Sequence, residues 1–401
     1  MNRRTFIVTA SAGYAWAQNR ENRDVPAAIK KLKPMLDGVQ PITDDERHAR
    51  VEKARRLMRE NKITAVLFEP GSSLFYFTGM RGGNASWVLA ASGEAAWITP
   101  AESASLQGEV RTFTNPEGRI RQLAQFLKEH GGARVGIEER AVFGTFDGLR
   151  HELPQVEFVS GDAVSAGCRM IKSSAELALM QRAADITIEA YRVAFETLEE
   201  GMTQGQLSAN IAAAYQQMGV RGDAMTSFGE YTAYPHGSIQ PQHLRQGDLV
   251  LIDDGCSVDG YQSDITRTKI FGKPTARQTQ VWNLERKAQD AALAAAKPGV
   301  PCEAVDAAAR KVITDAGFGP GYKVPGLPHR TGHGIGLDVH EWTYFVKGNK
   351  TPLRPGMCFS DEPMIAIYGE FGIRLEDCLH ITEDGARMFT KQAVAIDQPF
   401  G

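Results

Sequence analysis

The chain has 401 residues, 42% hydrophobic and 23% charged, enough for one large or two ordinary globular domains with sizeable cores. Its formal charge is −3 and no long Lys/Arg run follows residue 34, which argues against nucleic acid or an acidic surface as a partner. Cys168, Cys256, Cys302, Cys358 and Cys378 form no CxxC and no even-numbered framework, so all five are expected to be unpaired.

The chain opens with "MNRRTFIVTASAGYAWAQ". Paired Arg3 and Arg4, a modest apolar stretch and the small-residue pattern Ala15-Trp16-Ala17 read as a twin-arginine export signal over 1–17. The expected mature chain starts near Gln18 and is periplasmic or secreted. The apolar stretch is too short to span a bilayer, and no stable membrane insertion is expected elsewhere. Residues 18–42 read as a linker that wraps the surface.

Thr43-Asp-Asp-Glu46 fits a capping box opening a helix, and "ITAVLF" (63–68) reads as a buried strand. "SWVLAA" and "AAWITP" flank Ser92-Gly93-Glu94 as a hairpin. "GRIRQLAQFLKEHGG" reads as an amphipathic helix stopped by Gly131, and "ARVGIEE" as the next strand. This alternation predicts an α/β domain over 43–168. Ser173-Ser-Ala-Glu176 then caps a helix whose inward face runs Leu177, Met180, Ala184, Ile188, Tyr191, Phe195, Leu198. A second domain, 169–401, follows with further helices and two hairpins.

Those hairpins echo each other. "LRQGDLVLIDD" (244–254) and "LRPGMCFSDEP" (353–363) both open Leu-Arg-x-Gly and carry an acid nine residues after the Leu, Asp253 and Glu362. Each hairpin is expected to hold a second acid on its return strand, Asp264 and Glu376. For any single acid a solvated rim is the simpler reading. It leaves the duplicated apolar setting unexplained, and buried carboxylates together demand cations. "HRTGHGIGLDVHEW" (329–342) adds His329, His333 and His340 among glycines that let the backbone come close. Other motifs fail: there is no GxGxxG and no GxSxG, and His340-Glu341 lacks the second His of HExxH because position 344 is Tyr.

"IDDGCSVDGYQSDITRT", "GHGIGLDVHEW", "SDEP" and "GIRLEDCLHIT" resemble the motifs of the M24 pita-bread metallopeptidases, the prolidase and aminopeptidase P group. The resemblance covers the whole second domain, and the first is similar to the creatinase-type N-terminal domain of that group. It implies an α/β N-terminal domain followed by an α+β pita-bread catalytic domain with pseudo-twofold halves. It implies two divalent metal ions, Mn²⁺ foremost with Co²⁺, Fe²⁺ and Zn²⁺ as alternatives. Asp253 would bind one ion, His333 and Glu362 the other, with Asp264 and Glu376 bridging. Glu362 would be the general acid/base for a metal-bound hydroxide, His236 and His340 would contact substrate, and His329 would line the proline pocket. Arg374 would orient Glu376. The implied reaction is hydrolysis of Xaa-Pro bonds at the N-terminus of short peptides or dipeptides, by a homodimer or higher oligomer.

Two alternatives stand beside it. A hydrolase of a small C–N substrate would lack the metal set if creatinase-like but would keep it as another amide hydrolase on the same fold, and a non-catalytic peptide-binding module would have lost ligands. The chain departs from the family in having Met364 after Glu362-Pro363, and in the extra acids Asp254 and Asp361.

Overall fold

The computed structural model describes residues 25–101 and 106–401, so the export signal read over 1–17 lies outside the described residues. Of the segment read as a linker, residues 25–42 are described. They hold a short helix, Ala27–Lys30, with Ile29 and Leu32 buried and Met35 N bonded to Met218 O at 3.0 Å.

The N-terminal sheet comprises β1 (Ala65–Phe68), β2 (Ser86–Ala90), β3 (Ala95–Thr99), β4 (Glu109–Thr112), β5 (Arg134–Ile137) and β6 (Glu157–Ser160). Their order is β4-β3-β2-β1-β5-β6, antiparallel through β1–β2–β3 and parallel elsewhere. Period-two alternation sends Ala65 and Leu67 of β1 to one face and Val66 and Phe68 to the other. The first face packs under the helices Pro116–Glu129 and Phe143–Glu152 through Phe126, Leu127 and Leu149. The second belongs to a core shared with the catalytic half, through Met58, Trp87, Met180 and Tyr191. The two domains are thus joined by common apolar burial.

Two local expectations are refined. Thr43 accepts from Glu46 N at 3.2 Å, but the Glu46 carboxylate turns instead to Arg50 and Ser173, so the box is half made. The full box forms at Ser173 and Glu176. The inward face of the helix Ser174–Phe195 centres on Met180, Ala183, Thr187, Ala190 and Tyr191, leaving Leu177 and Ile188 on its flank. That helix packs against both the helix Gln204–Gln217 and the first hairpin, so its buried face is wider than one stripe.

The catalytic half is written twice. A long helix (Ser174–Phe195; Ala276–Ala295) precedes a shorter one (Gln204–Gln217; Cys302–Asp315) and then an acid-bearing hairpin. The echo has matching bonds. Leu244 N bonds Met202 O at 2.8 Å, and Leu353 N bonds Val300 O at 2.9 Å. Asp248 N reaches Arg245 O at 3.0 Å, and Met357 N reaches Arg354 O at 3.1 Å. Each Leu-Arg-x-Gly turn needs its glycine, because Gly247 and Gly356 have φ of 87° and 86°.

The hairpins are not continuous, which corrects the expectation that each acid lies on a strand of its hairpin. Leu249–Asp253 pairs with Arg267–Ile270, and beyond a break Cys256–Val258 pairs with Tyr261–Gln262. Cys358–Asp361 pairs with Asp377–Ile381, and beyond a break Met364–Ile367 pairs with Phe371–Arg374. Asp264, Glu362 and Glu376 lie in the breaks and Asp253 at the edge of one. Leaving the ladder frees these carboxylates to turn into one cleft, which a regular pleat facing the core does not allow.

Candidate metal centre and active-site cleft

All nine residues singled out in the sequence line a single cleft of about 360 Å³: His236, Asp253, Asp264, His329, His333, His340, Glu362, Arg374 and Glu376. Met225, Asp254 and Arg330 share its wall. Asp361 does not, since its side chain is fully buried outside the cleft with both oxygens unpartnered.

His333 is aimed by its backbone. It sits on the strand Gly332–Gly334, where a Cβ on Gly332 would lie 2.1 Å from Ser360 O and one on Gly334 2.6 Å from Trp342 O. Only glycines fit on either side of it. Its Nδ1 lies 3.1 Å from Gly334 O, an acceptor, so Nδ1 carries the proton. Burial depresses the imidazolium form, so the ring is neutral and Nε2 is a bare lone pair. That lone pair faces Asp264 Oδ2 at 3.4 Å and Glu362 Oε1 at 3.3 Å. Ser360 ties the pieces together: its hydroxyl accepts from His333 N at 3.0 Å and donates to Glu362 Oε1 at 3.2 Å.

The acids crowd in the same way. Ligand atoms of Asp264, His333 and Glu376 all lie within 4.8 Å of one another. Burial, then Asp253 and Glu362, push Asp264 well above the usual carboxylate range. Burial, then Asp264, Glu362 and Asp253, do the same to Glu376. Glu376 Oε1 is buried without a partner. Carboxylates crowded in this way are neutralised either by protons or by cations, and the donor set of hard oxygens with one imidazole lone pair fits divalent metal.

Arg374 braces the other side. Its guanidinium bonds Asp253, donates from Nε to Thr266 Oγ1 at 2.9 Å and reaches Pro235 O at 3.1 Å, beside His236. The expected direct contact with Glu376 is replaced by a relay, because Thr266 Oγ1 lies 2.6 Å from both Asp253 Oδ1 and Glu376 Oε2. Thr266 and Ser360 were visible inside the motifs, but nothing in their spacing marked them as links between acids. Arg330 was equally unmarked; its guanidinium stacks 4.9 Å over Tyr344.

His329 and His340 are neutral. Burial and Arg374 lower His329 to about 3, and burial and His333 lower His340 to about 4. His329 Nδ1 lies 2.7 Å from Arg330 O, leaving Nε2 buried and free to accept. The rings of His333 and His340 meet edge to face at 4.1 Å.

A mixed-sheet N-terminal domain, a twofold-repeated catalytic half and a carboxylate–imidazole cluster between its hairpins define a metal-dependent hydrolase. The family model for metallopeptidase family M24 matches residues 178–383, and that for the creatinase/prolidase N-terminal domain matches 50–171. The chain is 30% identical to the Xaa-Pro dipeptidase of Pyrococcus horikoshii, over 86% of this chain and 98% of that protein. It resembles the crystal structure of dipeptidase PepE from Mycobacterium ulcerans with a TM-score of 0.81 and 32% identity, covering 88% and 97% of the two chains. Against the prolidase of Pyrococcus horikoshii OT3 the TM-score is 0.76 at 29% identity, covering 86% and 98%. The chain belongs to metallopeptidase family M24, with a creatinase-type N-terminal domain and the pita-bread catalytic fold. It is a metallopeptidase that works with divalent metal ions.

Proposed function

We propose that the enzyme hydrolyses the Xaa-Pro bond of dipeptides and short peptides, with Mn²⁺ as its metal. The observation that carries this reading is the convergence of all nine residues on one cleft, with the His333 lone pair and two carboxylates facing each other. Asp253 would hold one ion, His333 and Glu362 the other, and Asp264 and Glu376 would bridge. Bound there, the ions supply Lewis-acid polarisation of the carbonyl and lower the pKa of water.

The chain's own groups do the rest. Glu362, fixed by the Ser360 hydroxyl, takes the proton of the attacking water and delivers it to the proline nitrogen, which cannot leave as an amide anion. His340, neutral at working pH, donates to the carbonyl oxygen as charge develops on it. His236 and His329 shape the proline side, where Arg374 holds the loop carrying His236 through Pro235 O. Assays of Ala-Pro, Gly-Pro and a longer Xaa-Pro peptide with added Mn²⁺ test the reading; no cleavage of any of them overturns it.

The compartment and assembly are also proposals. Arg3-Arg4 and Ala15-Trp16-Ala17 support export of a folded enzyme beginning near Gln18, a route that leaves thiols reduced. All five cysteines are free and buried, which is compatible with that route. A homodimer or higher oligomer is proposed with it, and Val142 and Phe143, 61% and 71% exposed, are candidate contact residues. N-terminal sequencing of the exported protein and sedimentation read these two points directly.

A further inference from the structure

A second cavity, about 210 Å³, lies between the two domains. One water needs about 10–15 Å³ on this measure, so a whole side chain fits. Its walls come from residues 69–73 and 138–141 of the N-terminal domain and from 338 and 340–342 of the catalytic half. His340 lines both this cavity and the metal cleft, so the two spaces adjoin at its ring.

The charges in its wall are almost all paired. Glu341 lies between Arg169 and Lys172, and Asp338 takes Arg169 at 2.7 Å and the Ser72 hydroxyl at 2.7 Å. Glu69 holds Arg119 at 2.8 Å. On the rim, Glu139 and Arg140 approach to 3.8 Å. Glu138 is the exception. Its carboxylate meets only the hydroxyls of Ser73 and Ser165, and among the described residues no cation lies within ion-pair distance of it. Arg169 acts on it from further away while giving its bonds to Ser73, Asp338 and Glu341. Burial accordingly pushes the Glu138 carboxyl up to about 7.

In an Xaa-Pro substrate the scissile carbonyl belongs to the residue before proline. If His340 contacts that carbonyl, the side chain of that residue emerges beside His340, against which the cavity lies. We propose that this cavity receives the side chain preceding the scissile bond, and that Glu138 makes it select a cationic one, lysine or arginine. The inference rests on the Xaa-Pro reading and names the substrate class within it. Trp342 and Pro70 flank the methylene stem, and the terminal cation fills the ion-pair position that Glu138 lacks.

The test compares kcat/KM of the Mn²⁺-loaded enzyme for Lys-Pro, norleucine-Pro and Glu-Pro, in the wild type, Glu138→Gln and Glu138→Lys. The wild type should favour Lys-Pro over its neutral isostere norleucine-Pro by about tenfold, the worth of one charge-assisted bond. Glu138→Gln should erase that ratio, and Glu138→Lys should place Glu-Pro above Lys-Pro, an inversion that misfolding cannot produce. A wild-type ratio of one or less overturns the inference without any variant. Equal losses on all three substrates also overturn it, since they would place Glu138 in the scaffold. Failure of the underlying reading looks different: the wild type then cleaves none of the three.

Discussion

Arg374 and Asp253 form an ion pair that joins the two hairpins, the guanidinium from the end of the strand Phe371–Arg374 gripping the carboxylate at the end of Leu249–Asp253. Arg374 also bonds Thr266 and Pro235 O, a geometry that uses its planar fork. Arg374→Lys keeps the charge and loses the fork. Metal affinity measured by titration should fall by about 10–100-fold, the usual cost of removing a group that orients a ligand. Wild-type affinity in Arg374→Lys would show that the pair does not position Asp253.

Glu362→Gln keeps shape and removes the acid/base. Turnover at saturating metal should fall by about 10²–10⁴-fold, with weaker metal binding adding to the loss. Retention of wild-type kcat contradicts the role.

The metal-free protein should lose stability as pH rises above the ordinary carboxylate values of 3.8 and 4.5. Asp264, Glu376, Glu285 and Asp361 are all buried and raised, so each holds its proton more tightly folded than unfolded. A raised group contributes stability at low pH and loses it as pH climbs through its folded value, by up to about 1.4 kcal/mol per pH unit per group. Metal replaces the protons on Asp264 and Glu376, so the loaded enzyme should show a shallower slope and a higher Tm. Denaturant melts of both forms across this range read the difference. Parallel slopes, or an unchanged Tm after exhaustive chelation, would falsify the proposal that cations neutralise these two acids.

Glu341→Gln should destabilise the domain interface by about 3–5 kcal/mol, because Arg169 and Lys172 would stay buried without their shared partner. Burial pushes the Glu341 carboxyl upward, but Arg169 and Lys172 outweigh it and hold the group at about 2. Its contribution is therefore full above the ordinary value of 4.5 and lost as pH falls toward 2. Chemical denaturation at neutral and acid pH should show the variant's deficit shrinking in acid. A deficit independent of pH would assign the effect to packing.

The candidate ligand set and the duplication were legible in the sequence. Both are local: acids at a fixed distance from a Leu-Arg-x-Gly turn, and a histidine between glycines, are visible wherever the chain goes. Helix starts at Thr43 and Ser173 were equally legible, because a cap joins residues three apart. Tertiary structure decided what depends on partners distant in sequence. It broke the hairpins at their acids, passed the Arg374 contact with Glu376 through Thr266, and turned Asp361 away from the cleft while leaving Asp254 on its wall. It also placed Glu138 of one domain and His340 of the other in the wall of one cavity, across about 200 residues of chain, and left the Glu138 carboxylate with no cation at ion-pair distance among the described residues. Charge balance at such a point is a sum over neighbours from both domains, and spacing along one chain carries no record of it.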